Sequence, residues 1–142
     1  MSSSYQKFRQ FVEDLAKGVH DLDAHTFKVA LSNVAPSVDN AVLADITQIA
    51  DGYGYAAGGL AAAFTSSEQT AGVMKLILQD VTFTASGGAI GPFRYAILYN
   101  DTPTAPADPL IAFWDRGSEI TLIDGETCVI DLDQTNGVFS IT

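Results

Sequence analysis

Gly87-Gly88-Ala89-Ile90-Gly91-Pro92-Phe93-Arg94-Tyr95-Ala96-Ile97-Leu98-Tyr99-Asn100-Asp101 is the stretch on which the reading of this chain turns. Its paired glycines admit backbone angles closed to other residues. Gly91-Pro92 joins a bend to a missing N–H donor, which suits the start of a strand rather than its middle. From Phe93 to Tyr99 the side chains alternate. Extended backbone sends neighbours to opposite faces, so Phe93, Tyr95, Ile97 and Tyr99 share one face, and Arg94, Ala96 and Leu98 the other. Asn100-Asp101-Thr102-Pro103 then stops the run with turn formers. The segment reads as the central strand of a β-rich domain, with much of the core packed on it.

Downstream, residues 102–109 carry three prolines and read as a surface loop, and residues 110–114 as a short apolar strand. Asp124-Gly125 lies between two apolar runs, the pattern of a tight hairpin turn, and Asn136-Gly137 repeats it before residues 138–141. Residues 120–142 are therefore expected to form a three-stranded antiparallel meander. Upstream, residues 73–79 and 81–85 read as strands, 65–70 as a polar turn, and 60–64 as a short strand. Residues 51–59, with four glycines and two tyrosines, read as a loop presenting aromatics. Residues 42–49 read as a strand or a short helix, 33–40 as a loop, 26–32 as a strand, and 20–25 as a polar connector.

The N-terminus has a different period. Tyr5, Phe8, Phe11, Val12, Leu15 and Val19 fall on one helical face, Ser3 and Gln6 have capping-box spacing, and Gly18 stands where helices end. The spacing predicts an amphipathic helix over residues 3–18, whose apolar side must lie on its own domain or on a neighbouring subunit. Its polar face mixes signs, which argues against a membrane anchor. The expected fold is mainly β: an antiparallel β-sandwich or flattened barrel of eight or nine strands, residues 26–142, preceded by a helix and connector, residues 1–25.

A chain of 142 residues, 47% of them hydrophobic, can bury the core of one domain. No apolar run approaches the roughly 18 residues that suggest a membrane span, and residues 1–7 lack the apolar core of a secretory signal. The single cysteine, Cys128, excludes an internal disulfide and fits synthesis in a reducing cytosol. A net charge of −10 argues against direct nucleic-acid binding. Residues 101–142 hold eight acids and one base, Arg116, as on a solvated surface or a patch that docks on a basic partner.

Few residues carry chemistry. His20 and His25 flank the connector without a clustered third ligand, and Cys128 lies on an expected strand, so these read as structural. The oxygen-bearing run Asp131-Leu132-Asp133-Gln134-Thr135-Asn136-Gly137 has nearly the spacing of a calcium loop, but one residue too many and no downstream glutamate. A turn explains the same residues. Glycines 52, 54, 58 and 59 lack the lysine and the strand-to-helix context of a phosphate loop. Trp114, with Tyr53, Tyr55 and Tyr99, suggests either core packing or a stacking platform for sugars. No catalytic residue, cofactor or metal ligand is assigned, and an enzyme is not expected.

Several of these segments together resemble a group of small tailed-phage virion proteins. The resemblance runs through Phe27-Lys28-Val29-Ala30-Leu31-Ser32-Asn33, Leu43-Ala44-Asp45-Ile46-Thr47-Gln48-Ile49-Ala50 and Gly54-Tyr55-Ala56-Ala57-Gly58-Gly59. It continues through Phe83-Thr84-Ala85-Ser86-Gly87-Gly88, the stretch from Gly91 to Asp101, Pro109-Leu110-Ile111 and Leu122-Ile123-Asp124-Gly125-Glu126. It implies a structural component of the particle, a decoration or cement protein on the capsid exterior, made in the host cytoplasm. The implied partners are the major capsid protein and further copies of the chain, as a trimer, with no nucleic acid and no membrane. A tail, baseplate or head-fibre component, or a host-surface carbohydrate-binding module, are the alternatives. The expected subunit or capsid contacts are Tyr5, Phe8, Phe11 and Leu15 on the helix, and Tyr53 and Tyr55 on the glycine loop.

Overall fold

A computed structural model describes residues 4–142. It is mainly β, 49% strand and 8% helix, and all its strand pairs are antiparallel. The stretch around Phe93 is the middle of the molecule. It forms β7 (Ile90–Asn100), flanked by β2 (Phe27–Ser32) on one side and β8 (Leu110–Leu122) on the other. β1 (Ser4–Lys7) and β3 (Leu60–Ala62) complete a five-stranded sheet in the order β1-β8-β7-β2-β3. Two smaller sheets accompany it: β10 (Phe139–Ile141), β5 (Val73–Leu78) and β4 (Phe64–Thr70) in that order, and the pair β6 (Val81–Thr84) with β9 (Thr127–Ile130).

Both faces of the large sheet are covered, in a sandwich-like arrangement. On one face Ala96 and Leu98 join Val29, Leu31 and Ile111 against Leu76, Leu78, Phe83 and Ile130 of the smaller sheets. On the other, Tyr95, Ile97 and Tyr99 pack with Phe8, Phe113, Leu43 and Ile46. The aromatic stripe expected from alternation is therefore real from Tyr95 onward, but Phe93 is not part of it. Pairing slips between Phe93 and Tyr95, and Phe93 turns into the other cluster, beside Ala96. A bulge resets which face each residue meets. β8 carries the matching extra length: Tyr95 faces Asp115 while Phe93 faces Ile120, so residues 116–119 loop out around Gly117, at φ +93.

The N-terminal helix is shorter than its period suggests. Only Arg9–Ala16 is helical (α1), and residues 4–7 are extended, paired in register with Asp115 to Ala112 of β8. Ser3, the proposed capping residue, lies outside the described residues. Tyr5-Gln6-Lys7 fits a strand as well as a helix, and the open edge of β8 supplies ladder hydrogen bonds that an isolated first helical turn does not have. Phe8 makes the junction: its N–H donates to the Ile111 carbonyl at 3.1 Å and its ring is fully buried on Phe113. The segment thus adds a strand to the main sheet instead of standing outside the β domain.

Two further expectations are corrected, and a third, the strand or short helix of residues 42–49, resolves to its helical alternative in a single 3-10 turn. Residues 65–70 are strand β4, not a turn: polar throughout but paired with β5 through a two-residue turn at Ala71-Gly72, both at positive φ. Residues 42–49 form a single 3-10 turn (Leu43–Asp45) and two isolated bridges, laid over the outer face of the large sheet. The C-terminal meander does not exist. Leu122 pairs with Ile90 of β7, β9 pairs with β6, and β10 pairs with β5, so the three runs belong to three different sheets. The Asp124-Gly125 turn is nonetheless a turn, with the Glu126 N–H donating to the Ile123 carbonyl at 2.9 Å. It is a corner between sheets rather than the tip of a hairpin.

Candidate functional site

β1 lies along the C-terminal segment, and two of its residues, Tyr5 and Lys7, each line a cleft shared with that segment. The first, of about 300 Å³, is lined by Tyr5 and Trp114 on one wall and by Ile130–Asp133 and Gly137-Val138 on the other. Tyr5 and Trp114 are cross-strand partners, and their rings meet edge to face at 5.7 Å and 64°. Tyr5 is 39% exposed, yet burial of its hydroxyl pushes its pKa up to about 12, so it remains protonated at neutral pH. The opposite wall is held by Asp80. One of its carboxylate oxygens accepts from the Leu132 N–H at 2.8 Å and from Gln134 Nε2 at 2.7 Å, pinning the segment after β9 to the turn between β5 and β6.

Asp131 and Asp133 are the acidic residues that line this cleft. Asp133, at φ +53, caps the next turn. It accepts from the N–H groups of Thr135 and Asn136 and from Asn136 Nδ2, bonds that hold its carboxyl below the usual range, those from Asn136 contributing most. Asp131 accepts from the Asp133 N–H at 2.8 Å. The residues that have nearly calcium-loop spacing are thus occupied in building a turn, and among the described residues neither carboxylate has a salt-bridge partner. Such a wall sets hydrogen-bond acceptors opposite aromatic rings, a chemistry complementary to donors and cations.

The second cleft, of about 330 Å³, lies between α1 and β10 and is apolar, with Phe11, Val12, Leu15, Phe139 and Ile141 around it. Phe11 forms its buried floor, edge to face with Phe139 at 5.2 Å, while Val12 and Ile141 are exposed. Of the six residues expected as contacts, the structure brings Tyr5, Phe11 and Leu15 to these two clefts. It separates the other three. Phe8 is 0% and Tyr55 3% exposed, both inside the protein's own core, and Phe11, at 3%, is buried to the same degree beneath the second cleft, so none of the three presents its side chain freely to a partner. Tyr53 is 57% exposed at the tip of the glycine loop, its ring lying over Gly88 so closely that a Cβ there would fall 2.5 Å from it. That contact gives the Gly87-Gly88 pair a second reason besides backbone freedom.

The histidines meet at Asn100. Asn100, buried at the end of β7, points its Nδ2 at His25 Nδ1 (2.8 Å) and at His20 Nδ1 (3.1 Å), tying both ends of the connector to the central strand. Burial, partly opposed by Asp14, lowers the His20 pKa to about 4. Among the described residues no three His, Cys, Asp or Glu side chains cluster as a metal site. The role of Asn100 is not readable from its sequence neighbours, which mark it only as a turn former. Cys128, half-buried on β9 opposite Phe83, has its thiol pushed up by burial, away from the thiolate that nucleophilic chemistry needs.

No family model matches this chain. Neither does any curated protein or solved structure.

Proposed function

We propose that this chain is a structural virion protein that binds the outside of a tailed-phage capsid and stabilises it. The observation that carries the reading is the pair of clefts that Tyr5 and Leu15 line, the second floored by the buried Phe11. A cement protein is soluble alone and buries apolar and aromatic surface on assembly; aromatic anchors in pockets are the usual source of that affinity. Exposed Val12, Ile141 and Tyr53 add apolar area to the same task. The net charge of −10 keeps free subunits apart until a complementary surface is met. The resemblance through residues 27–126 points the same way. The major capsid protein is the partner, and copies of the chain associate as trimers on the lattice.

Electron cryo-microscopy of intact particles tests this. Density for the domain at regular lattice positions on the capsid, with β1 and α1 turned to the shell or to a neighbouring copy, is the expected result. Density confined to the tail or baseplate, or none on the particle, overturns it.

A further inference from the structure

We propose that the cleft between Tyr5, Trp114, Asp131 and Asp133 is a receptor for a basic side chain, the ammonium of a lysine or the guanidinium of an arginine, on a partner protein. The inference rests on the reading that this side of the molecule docks on a protein, and names the chemistry that docks there.

Four observations lead to it. The two side-chain functions on the wall opposite the rings, Asp131 and Asp133, are both carboxylates, which only accept hydrogen bonds when ionised. Ammonium and guanidinium groups only donate, so the match is one-sided; a sugar hydroxyl, which donates and accepts, would find its acceptor half unanswered on that wall. No salt bridge of the described residues ends on either carboxylate: they join Arg9 to Asp39, Lys17 to Glu13, Lys28 to Asp101 and Arg94 to Asp115, while Lys75 acts on Asp133 only through space, as the least of the influences that lower its pKa. The facing wall is a tryptophan and a tyrosine held edge to face, the ring types over which cations are most favourably placed. Finally, Asp133 is already fixed by the Thr135 and Asn136 N–H groups, so less freedom is lost when it receives a ligand. The surrounding charge of −10 steers a cation towards the cleft. At about 300 Å³ the space admits the end of one long side chain, not an oligomeric ligand.

Trp114 is the single tryptophan and lines both this cleft and a smaller hollow with Arg94 and Arg116, so its fluorescence reports binding and residue-resolved amide shifts say which of the two responds. The test titrates the whole protein with N-acetyl-lysine methylamide and N-acetyl-arginine methylamide, against the norleucine and citrulline analogues and a panel of monosaccharides. Amide NMR shifts at residues 5, 114 and 130–138 are followed alongside. The expected result is saturable binding of one or both cations in the millimolar range, weakened several-fold by 0.5 M NaCl and at least about fivefold by Asp131→Asn. That variant keeps the oxygen that accepts from the Asp133 N–H. The uncharged analogues should bind at least about fivefold more weakly. Absence of saturable shifts with either cation, an equal response to the uncharged analogues, or a response to sugars alone overturns the proposal. Particle attachment is measured separately, by co-sedimentation with capsids stripped of the protein. Attachment without cation binding removes only the receptor, whereas cation binding without attachment removes the capsid reading.

Discussion

The Tyr55 hydroxyl stands where a strand partner would. β3 pairs with β2 only at Phe27–Val29, and beyond it the Leu31 N–H donates to Tyr55 Oη at 3.1 Å while that hydroxyl donates to Gln48 Oε1 at 2.7 Å. Tyr55→Phe leaves the buried Leu31 N–H without this partner, while Gln48 Oε1 keeps the Gly58 N–H, and should cost about 1–3 kcal/mol, read by chemical denaturation. Unchanged stability would mean that water replaces the hydroxyl. His20 provides a second test. Its pKa is lowered from 6.5 to about 4 in the folded protein, so between those values the unfolded chain binds more protons and stability must fall as pH drops. Above pH 6.5 the contribution is constant. Replacing it by the uncharged His20→Gln should shrink the loss of unfolding free energy between pH 7 and pH 5 by on the order of 1–2 kcal/mol. An identical pH slope in the variant would show that His20 does not carry the acid sensitivity of this range; Asp115 and Asp133, whose pKa values are lowered from 3.8 chiefly by Arg94 and by Asn136, add to the loss only below about pH 5.

At the scale of elements, the β4–β5 hairpin turns on Ala71-Gly72, with Ala71 at φ +53 and Gly72 at φ +82. Two left-handed residues suit the twist of a tight hairpin, but alanine sits there at a cost of about 1 kcal/mol that asparagine largely avoids. Ala71→Asn should therefore raise stability by about 0.5–1 kcal/mol, measurable as a higher denaturation midpoint with an unchanged slope. Gly59 marks the opposite case. An added Cβ would lie 1.8 Å from the Val29 carbonyl oxygen, so no side chain fits where the glycine loop enters β3. The Ala-Gly turn was not legible because its turn residues are ordinary and β4 has no apolar alternation. Residues 66–70 are polar, and their pairing rests on the backbone and on the neighbouring β5.

At the scale of the molecule, the last strand closes the smaller sheet. Val138 is buried, its N–H donates to the Leu76 carbonyl at 2.8 Å, and Phe139 packs on Phe11. Deleting residues 138–142 removes one side of the second cleft and bares the edge of β5. The truncated chain should lose at least about 3 kcal/mol and self-associate through that edge, seen by denaturation and by size-exclusion chromatography. A monomer of unchanged stability would show that β10 is an accessory to the fold.

What could be determined from residues alone is whatever depends on near neighbours. Alternation made the region of β7 a strand, and periodicity marked α1. Asp124-Gly125 and the three prolines of residues 102–109 marked places where the chain turns. A mainly β fold with one helix near the N-terminus follows from these, because side-chain direction and turn geometry are set within a few residues. The tertiary structure alone decided which strands pair. Residues 120–141 carry the local signals of a meander, yet open edges of β7, β6 and β5 claim each run separately, and β8 claims residues 4–7 from the helix. The first cleft has the same origin. Tyr5, Trp114 and Asp131 are far apart in the chain, and only the pairing of β1 with β8 and the anchoring of Leu132 on Asp80 bring them together. Contacts between distant segments are chosen by which edges and apolar faces remain to be covered, a property of the whole assembly that no local pattern contains.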